Sequence, residues 1–207
     1  MKETKTLTEG KVFQSLIYFA IPVFFTLFLQ ALYGGVDLLV VGQFGNTADV
    51  SGVATGSMLL QTVTNIVTGL SMGITVLVGE KIGQGKKREA GKAIGSGMCL
   101  FAIAGVVLTV ILLVFANGLA GMMHAPEEAF GKTVEYIRIC GGGAVFIVAY
   151  NVLGAVFRGI GDSKTPLITV IIACVVNIAG DLLFVAVFHM GAAGAALATV
   201  AAQVVSV

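Results

Sequence analysis

The stretch FQSLIYFAIPVFFTLFLQALYGGVDLLVVG, residues 13–42, decides how the chain is read. It is longer than the ~20 apolar residues that cross a ~30 Å hydrocarbon core at 1.5 Å per residue, yet it carries a carboxylate, Asp37. An ionisable group in a membrane span costs roughly 2.5 to 3.5 kcal/mol on insertion scales, so it is tolerated mainly where it faces a cavity, a partner or an ion. The run is too long for one straight perpendicular helix, and Pro22 removes a backbone donor within it. A kink or tilt is expected there.

Five more apolar runs follow, at 54–79, 93–116, 136–157, 166–188 and 190–207. With 57% hydrophobic and 11% charged residues, the chain reads as an all-α polytopic membrane protein with six spans forming one transmembrane lobe. The fifth run contains the second buried acid, Asp181. The polar segment 1–11 precedes an apolar run longer than a signal-peptide core, with no small-residue cleavage site, so it is not read as a removable leader.

Charge placement orients the spans. Of 12 Lys and Arg, Lys2, Lys5, Lys11, Lys81, Lys86, Lys87, Arg88, Lys92, Arg158 and Lys164 fall on one side, and only Lys132 and Arg138 on the other. By the positive-inside rule the N-terminus is cytoplasmic, in a cell membrane. The outward segments are then 43–52, 117–135 and a tight reversal at 189–191. The last span stops at Val207 without a polar flank, so the sequence reads as truncated. Six spans return the chain to its starting side, and a second six-span half in the same orientation would make a parallel-repeat transporter.

Polar residues inside the runs form helical stripes. Thr26, Gln30, Tyr33 and Asp37 share a face of the first run, and Gln61, Asn65, Thr68 and Met72 one of the second. Asn177 and Asp181 are four apart in the fifth, and Thr199, Gln203 and Ser206 line up in the sixth. Taken singly, Thr26, Gln30 or Gln203 fits ordinary interhelical hydrogen bonding. The two acids would need a buried Lys or Arg, and no run has one near its middle. By residue count Asp37, Asp181 and Thr199 all lie ~9 to 12 Å below the outer surface, where with Asn177 they would make an oxygen-rich, negative pocket suited to a proton, Na⁺ or an organic cation.

Other patterns carry less. Cys99, Cys140 and Cys174 have no metal spacing and read as small packing residues. The GxxxG pairs Gly52/Gly56, Gly69/Gly73, Gly79/Gly83 and Gly91/Gly95, with Gly141 to Gly143 and the small-residue stretch 191–198, read as close helix contacts. The GxSxG at 69–73 lies in a span, away from His124 and His189, so no serine hydrolase is indicated. Residues 85–92 lack the spacing and hydroxyl of a phosphate loop. No enzyme, cofactor or nucleic-acid partner is expected, and any pumping must draw on an ion gradient or another chain.

Five segments in order resemble the multidrug and toxic compound extrusion (MATE) transporters: 36–45 around Asp37, Met72-Gly73 with Gly83 to Gly85, 157–166, Asn177 to Asp181, and Gly194 to Thr199. The resemblance runs through essentially the whole chain and corresponds to the N-terminal lobe of a twelve-helix family. It implies an antiporter that expels organic cations and other amphipathic toxins for H⁺ or Na⁺, with a C-terminal lobe as partner. Asp37, Asn177, Asp181 and Thr199 would be the ion-responsive cluster and Pro22 the bend. The cavity candidates are Thr26, Gln30, Tyr33, Gln61, Asn65, Thr68 and Gln203. A lipid-linked precursor flippase, and a channel or structural membrane subunit, remain as alternatives.

Overall fold

A computed structural model of the protein describes residues 12–207; Lys2, Lys5 and Lys11 of the charge argument, and the leader reading of 1–11, lie outside the described residues. The chain folds into α1 (Val12–Phe44), α2 (Thr47–Gly83), α3 (Lys87–Val114), a short α4 (Ala116–Met122), α5 (Phe130–Gly142), α6 (Ala144–Gly159), α7 (Lys164–Asp181) and α8 (Gly191–Ser206). A 3₁₀ turn at Glu127–Ala129 leads into α5, and α7 runs on as a π-helix over Leu182–Val187. No strand occurs among the described residues. This is a multi-pass membrane protein: α1, α2, α3 and α7 with its π segment are each long and apolar enough to cross a bilayer.

The burial pattern gives the same answer. Only 11% of the most apolar window of α1 is buried, and Phe13, Leu16, Phe24, Leu27 and Leu39 all stand exposed. Such a helix would not stay dispersed in water, but matches a hydrocarbon solvent.

Helix starts follow local chemistry. At α2, Asn46 Oδ1 accepts from the Asp49 amide at 2.8 Å and Asp49 Oδ2 accepts from the Asn46 amide at 3.3 Å, a reciprocal capping box. At α7, Asp162 Oδ1 accepts from the Lys164 and Thr165 amides at 3.0 and 3.1 Å, while its Oδ2 accepts from Thr165 Oγ1 at 2.6 Å. Partial burial pushes the Asp162 carboxyl up, but these hydrogen bonds and the Lys164 charge outweigh it and hold the group below its ordinary value of 3.8.

Two segments are built differently from a plain helix and a plain loop. The run 136–157 is not one helix: α5 and α6 meet at 55° around Gly143. The cause is close approach, since a Cβ at Gly143 would lie 2.7 Å from both Val200 methyls of α8, and glycine is a weak helix former. The outward segment 117–135 is likewise mostly helical, holding α4, the 3₁₀ turn and the start of α5. Helix α1 continues unbroken through Pro22. The last run forms a 16-residue apolar helix, α8, short of the usual spanning length.

The GxxxG reading also divides. Gly52 and Gly56 pack against Lys132, Thr133 and Tyr136 of α5, whereas Gly69, Gly73, Gly83, Gly91 and Gly95 have nothing within 4 Å of an added Cβ. The motif marks a smooth helix face, and only a partner at that height makes it a contact. Two cores result. One joins Val41, Val53, Leu60, Leu112, Ile137 and the α8 alanines; the other joins Val67, Ile74, Val78, Phe101, Val148 and Val152.

Candidate functional site

Asp37 on α1, Asn177 and Asp181 on α7 and Thr199 on α8 meet within the first core. The meeting follows from packing, because α7 lies against both α1 and α8. Asp37 is 5% exposed, and Asn177 and Asp181 are 0% exposed. The Asp37 carboxylate faces Asp181, Asn177 and Thr199, and Thr199 Oγ1 donates to Asp37 Oδ2 at 3.2 Å.

Most of the remaining polar atoms there have no protein partner. Asp37 Oδ1, both Asp181 carboxylate oxygens, both polar atoms of Asn177 and Gln203 Oε1 are buried without a hydrogen bond. Buried polar groups are normally paired, and an orphaned cluster marks a place where a ligand or proton completes the set. Two carboxylates beside an amide oxygen suit a small hard cation or a shared proton. No Lys or Arg lies within ion-pair distance of either acid among the described residues.

A second feature lies toward the end of the lobe that carries the basic loops. A cavity of about 740 Å³ opens between α1, α2, α6, α7 and the end of α8. Thr26, Gln30, Gln61, Asn65 and Thr68 line it; Tyr33 and Gln203 do not, and instead face each other beside Asp37. The α1 stripe therefore serves two places. Thr26 and Gln30 reach the cavity, and Tyr33 and Asp37, up to 11 residues or ~16 Å farther along the helix, reach the acid cluster.

Four chains of contact order the cavity wall. Gln30 Nε2 donates to the Tyr150 hydroxyl at 3.3 Å, Gln61 Nε2 to Asn65 Oδ1 at 3.0 Å, Thr68 Oγ1 to Asn151 Oδ1 at 2.9 Å and Thr75 Oγ1 to the Ala155 carbonyl at 2.8 Å. Near Pro22, Thr26 Oγ1 donates to the Pro22 carbonyl at 2.8 Å, a back-bond that favours local bending.

Known families can be set against this geometry. The MatE family model matches residues 22–183. The chain belongs to the MatE family. Among curated relatives, the probable multidrug resistance protein YpnP of Bacillus subtilis (strain 168) is 29% identical over 203 residues, covering 95% of this chain and 44% of that protein. The probable multidrug resistance protein NorM of Thermotoga maritima is 28% identical over 205 residues, covering 93% and 42%. The solved structure of a MOP superfamily transporter from Pyrococcus furiosus Vc1 matches with a TM-score of 0.91 at 27% identity, covering 100% of this chain and 46% of that one. An outward-facing multidrug resistance MATE family transporter gives the same TM-score, identity and coverage. This MatE chain thus spans about half the length of the relatives it matches.

Three features of this MatE lobe escape a linear reading. Asp49, which looks like a loop acid, is buried: Oδ1 accepts from the Ala192 amide at 3.1 Å and lies 3.4 Å from Lys132 Nζ, tying α2, α5 and α8 together. Gly191 permits this with φ +55°, since any side chain there would run into the Asp49 carboxylate. Tyr150 and Asn151 of α6 line the cavity although α6 shows no polar stripe. Arg158, counted among loop cations, turns into the cavity instead.

Proposed function

We propose that the chain is one lobe, with six membrane passes, of a longer secondary active antiporter. It exports amphipathic and cationic compounds in exchange for H⁺ or Na⁺ by alternating access, from a cell membrane with the N-terminus cytoplasmic. The observation that carries the reading is the buried acid pair Asp37 and Asp181, with orphaned oxygens and no basic partner among the described residues. The multidrug resistance names of its relatives support the same class of cargo.

Two carboxylates held together away from water repel each other, and a proton or Na⁺ taken up between them relieves that repulsion. Asn177 Oδ1 can add a neutral ligand. Neutralising the pair removes the attraction for a cationic substrate, and charge at the site is therefore competed for by the coupling ion and the cargo. The Asp37–Thr199 hydrogen bond ties α1 to α8; loading the acid loosens it, and α1 is free to rearrange about Pro22. Catalytic groups are not part of this scheme, since no covalent bond changes.

The test uses the full-length protein in proteoliposomes. Asp37→Asn and Asp181→Asn keep shape and remove a titratable charge, so gradient-driven efflux of a cationic dye should fall sharply while insertion persists. Wild-type efflux in the double variant would reduce both acids to packing residues. A steady leak current through the wild-type protein would favour a channel instead.

A further inference from the structure

Among the described residues, Arg158 is the one partly buried basic side chain with no carboxylate within 4.0 Å. The other partly buried cations are matched: Lys81 lies 3.0 Å from Glu89, and Lys132 lies 3.4 Å from Asp49. A topology anchor at a membrane edge normally reaches outward to water. Arg158 instead folds back along α6, with Nη1 3.3 Å from the place a Gly154 Cβ would occupy, and it lines the cavity. Glycine at 154 supplies the room.

The chemistry around it is one-sided. Among the described residues no Asp or Glu side chain lines the cavity, and Arg158 is the one charged side chain that does. Beside it stand the Tyr150 hydroxyl and Ser163, Thr165 and Thr169 at the start of α7, where the helix dipole is positive. Asp162, the nearest acid in sequence, spends both oxygens on Thr165 and the α7 amides. Apolar and aromatic side chains complete the lining, Phe19, Val23 and Leu27 from α1 and Phe157 from α6. A half-buried guanidinium with no counter-charge among the described residues offers its donors to an anion.

We infer that this cavity takes amphiphiles whose polar end is an anionic oxygen group, a carboxylate or a phosphate, held by Arg158 with the apolar body against Phe19 and Phe157. The inference rests on the export reading for the fate of the bound compound, but the site itself is separate from the acid cluster. The exported set then includes zwitterions, whose negative end sits at Arg158. Simple organic cations would gain nothing from this cavity.

The experiment compares rhodamine B, with a free carboxylate, and its ethyl ester by equilibrium dialysis against the purified full-length protein, corrected for micelle uptake. The wild type should bind the free acid at least about tenfold more tightly, as a charge-assisted contact implies. Arg158→Gln should bring the ratio near one by weakening the acid, with the ester changed less than about twofold, and Arg158→Lys should keep part of the preference. Equal binding of acid and ester by the wild type would overturn the inference, as would an undiminished preference in Arg158→Gln. If Arg158→Gln fails to fold, the wild-type ratio and the Arg158→Lys variant decide. Displacement of rhodamine B by phosphatidylglycerol but not by phosphate-free diacylglycerol in mixed micelles would support the site and identify a lipid phosphate as an occupant. The Asp37→Asn, Asp181→Asn double variant separates the two readings: retained preference without efflux upholds both, and retained preference with efflux sinks only the coupling scheme.

Discussion

Replacing Gly56 by Ala should destabilise the lobe, although Ala is the better helix former. A Cβ at Gly56 would lie 2.5 Å from Cδ1 and 3.1 Å from Cγ of the Tyr136 ring. Ordinary contact begins near 3.4 Å, so ring and helix must part by about 0.9 Å. Tyr136 is 2% exposed and has no room to retreat. Overpacking of this kind costs about 1 to 3 kcal/mol, against a propensity gain of roughly 0.5 to 1 kcal/mol, which leaves a net loss of up to about 2.5 kcal/mol. Gly69→Ala is the control, because nothing lies within 4 Å of its Cβ; it should keep or slightly raise stability. Melting followed by size-exclusion chromatography in detergent should show Gly56→Ala falling a few degrees and Gly69→Ala at or above the parent. Since Tyr136 faces Asp37 and Thr199, efflux by Gly56→Ala should also drop. Equal melting of the two variants, or a larger loss in Gly69→Ala, would refute the argument that partner height rather than motif decides glycine's role.

Thr199→Val removes the one hydroxyl that donates to Asp37 but leaves both acids, so efflux should weaken less than in Asp37→Asn, and the same holds for Asn177→Ala; dye efflux ranks the three. Asp162→Ala should cost about 1 kcal/mol of α7 stability through loss of the cap, visible as a lower melting temperature at pH 7. The Asp162 pKa is lowered on folding, so its contribution is present above the ordinary value of 3.8 and is lost as pH falls through the still lower folded value; between pH 5 and 8 the gap between wild type and Asp162→Ala should stay constant, and a gap that closes near pH 6 would contradict the cap. For orientation, a cysteine at Glu89 should label only from the cytoplasm and one at Glu128 only from outside; reversed labelling would invert the topology.

The acid cluster was legible because a charge inside an apolar run stands out from its surroundings, and because i, i+4 spacing fixes Asn177 and Asp181 on one face. Membrane-crossing helices were legible for the same reason of contrast. What stayed hidden depends on neighbours distant in sequence. The bend at Gly143 is imposed by Val200, 57 residues later, and three consecutive glycines indicate only that space is available. Arg158 has the sequence signature of any loop cation, and its direction is set by the room at Gly154. Asp49 follows the same rule, since its partner amide belongs to Ala192. Tyr33 and Gln203 read as cavity residues because a stripe gives the face of a helix and says nothing of how far along it the neighbours change.

The π-helix that follows Asp181 has a consequence for how this chain tolerates length changes. In a regular helix each residue turns the chain by about 100°, so deleting one residue swings everything beyond it off its face. A π turn holds one residue more than an α turn. Removing a single residue between Leu182 and Val187 can therefore convert the segment to α-helix while leaving Asp181 before it and the His189 reversal after it in phase. The same deletion in the middle of α7, between Val170 and Cys174, would rotate Asn177 and Asp181 together away from Asp37. Length variation among homologous lobes should accordingly concentrate on the far side of Asp181.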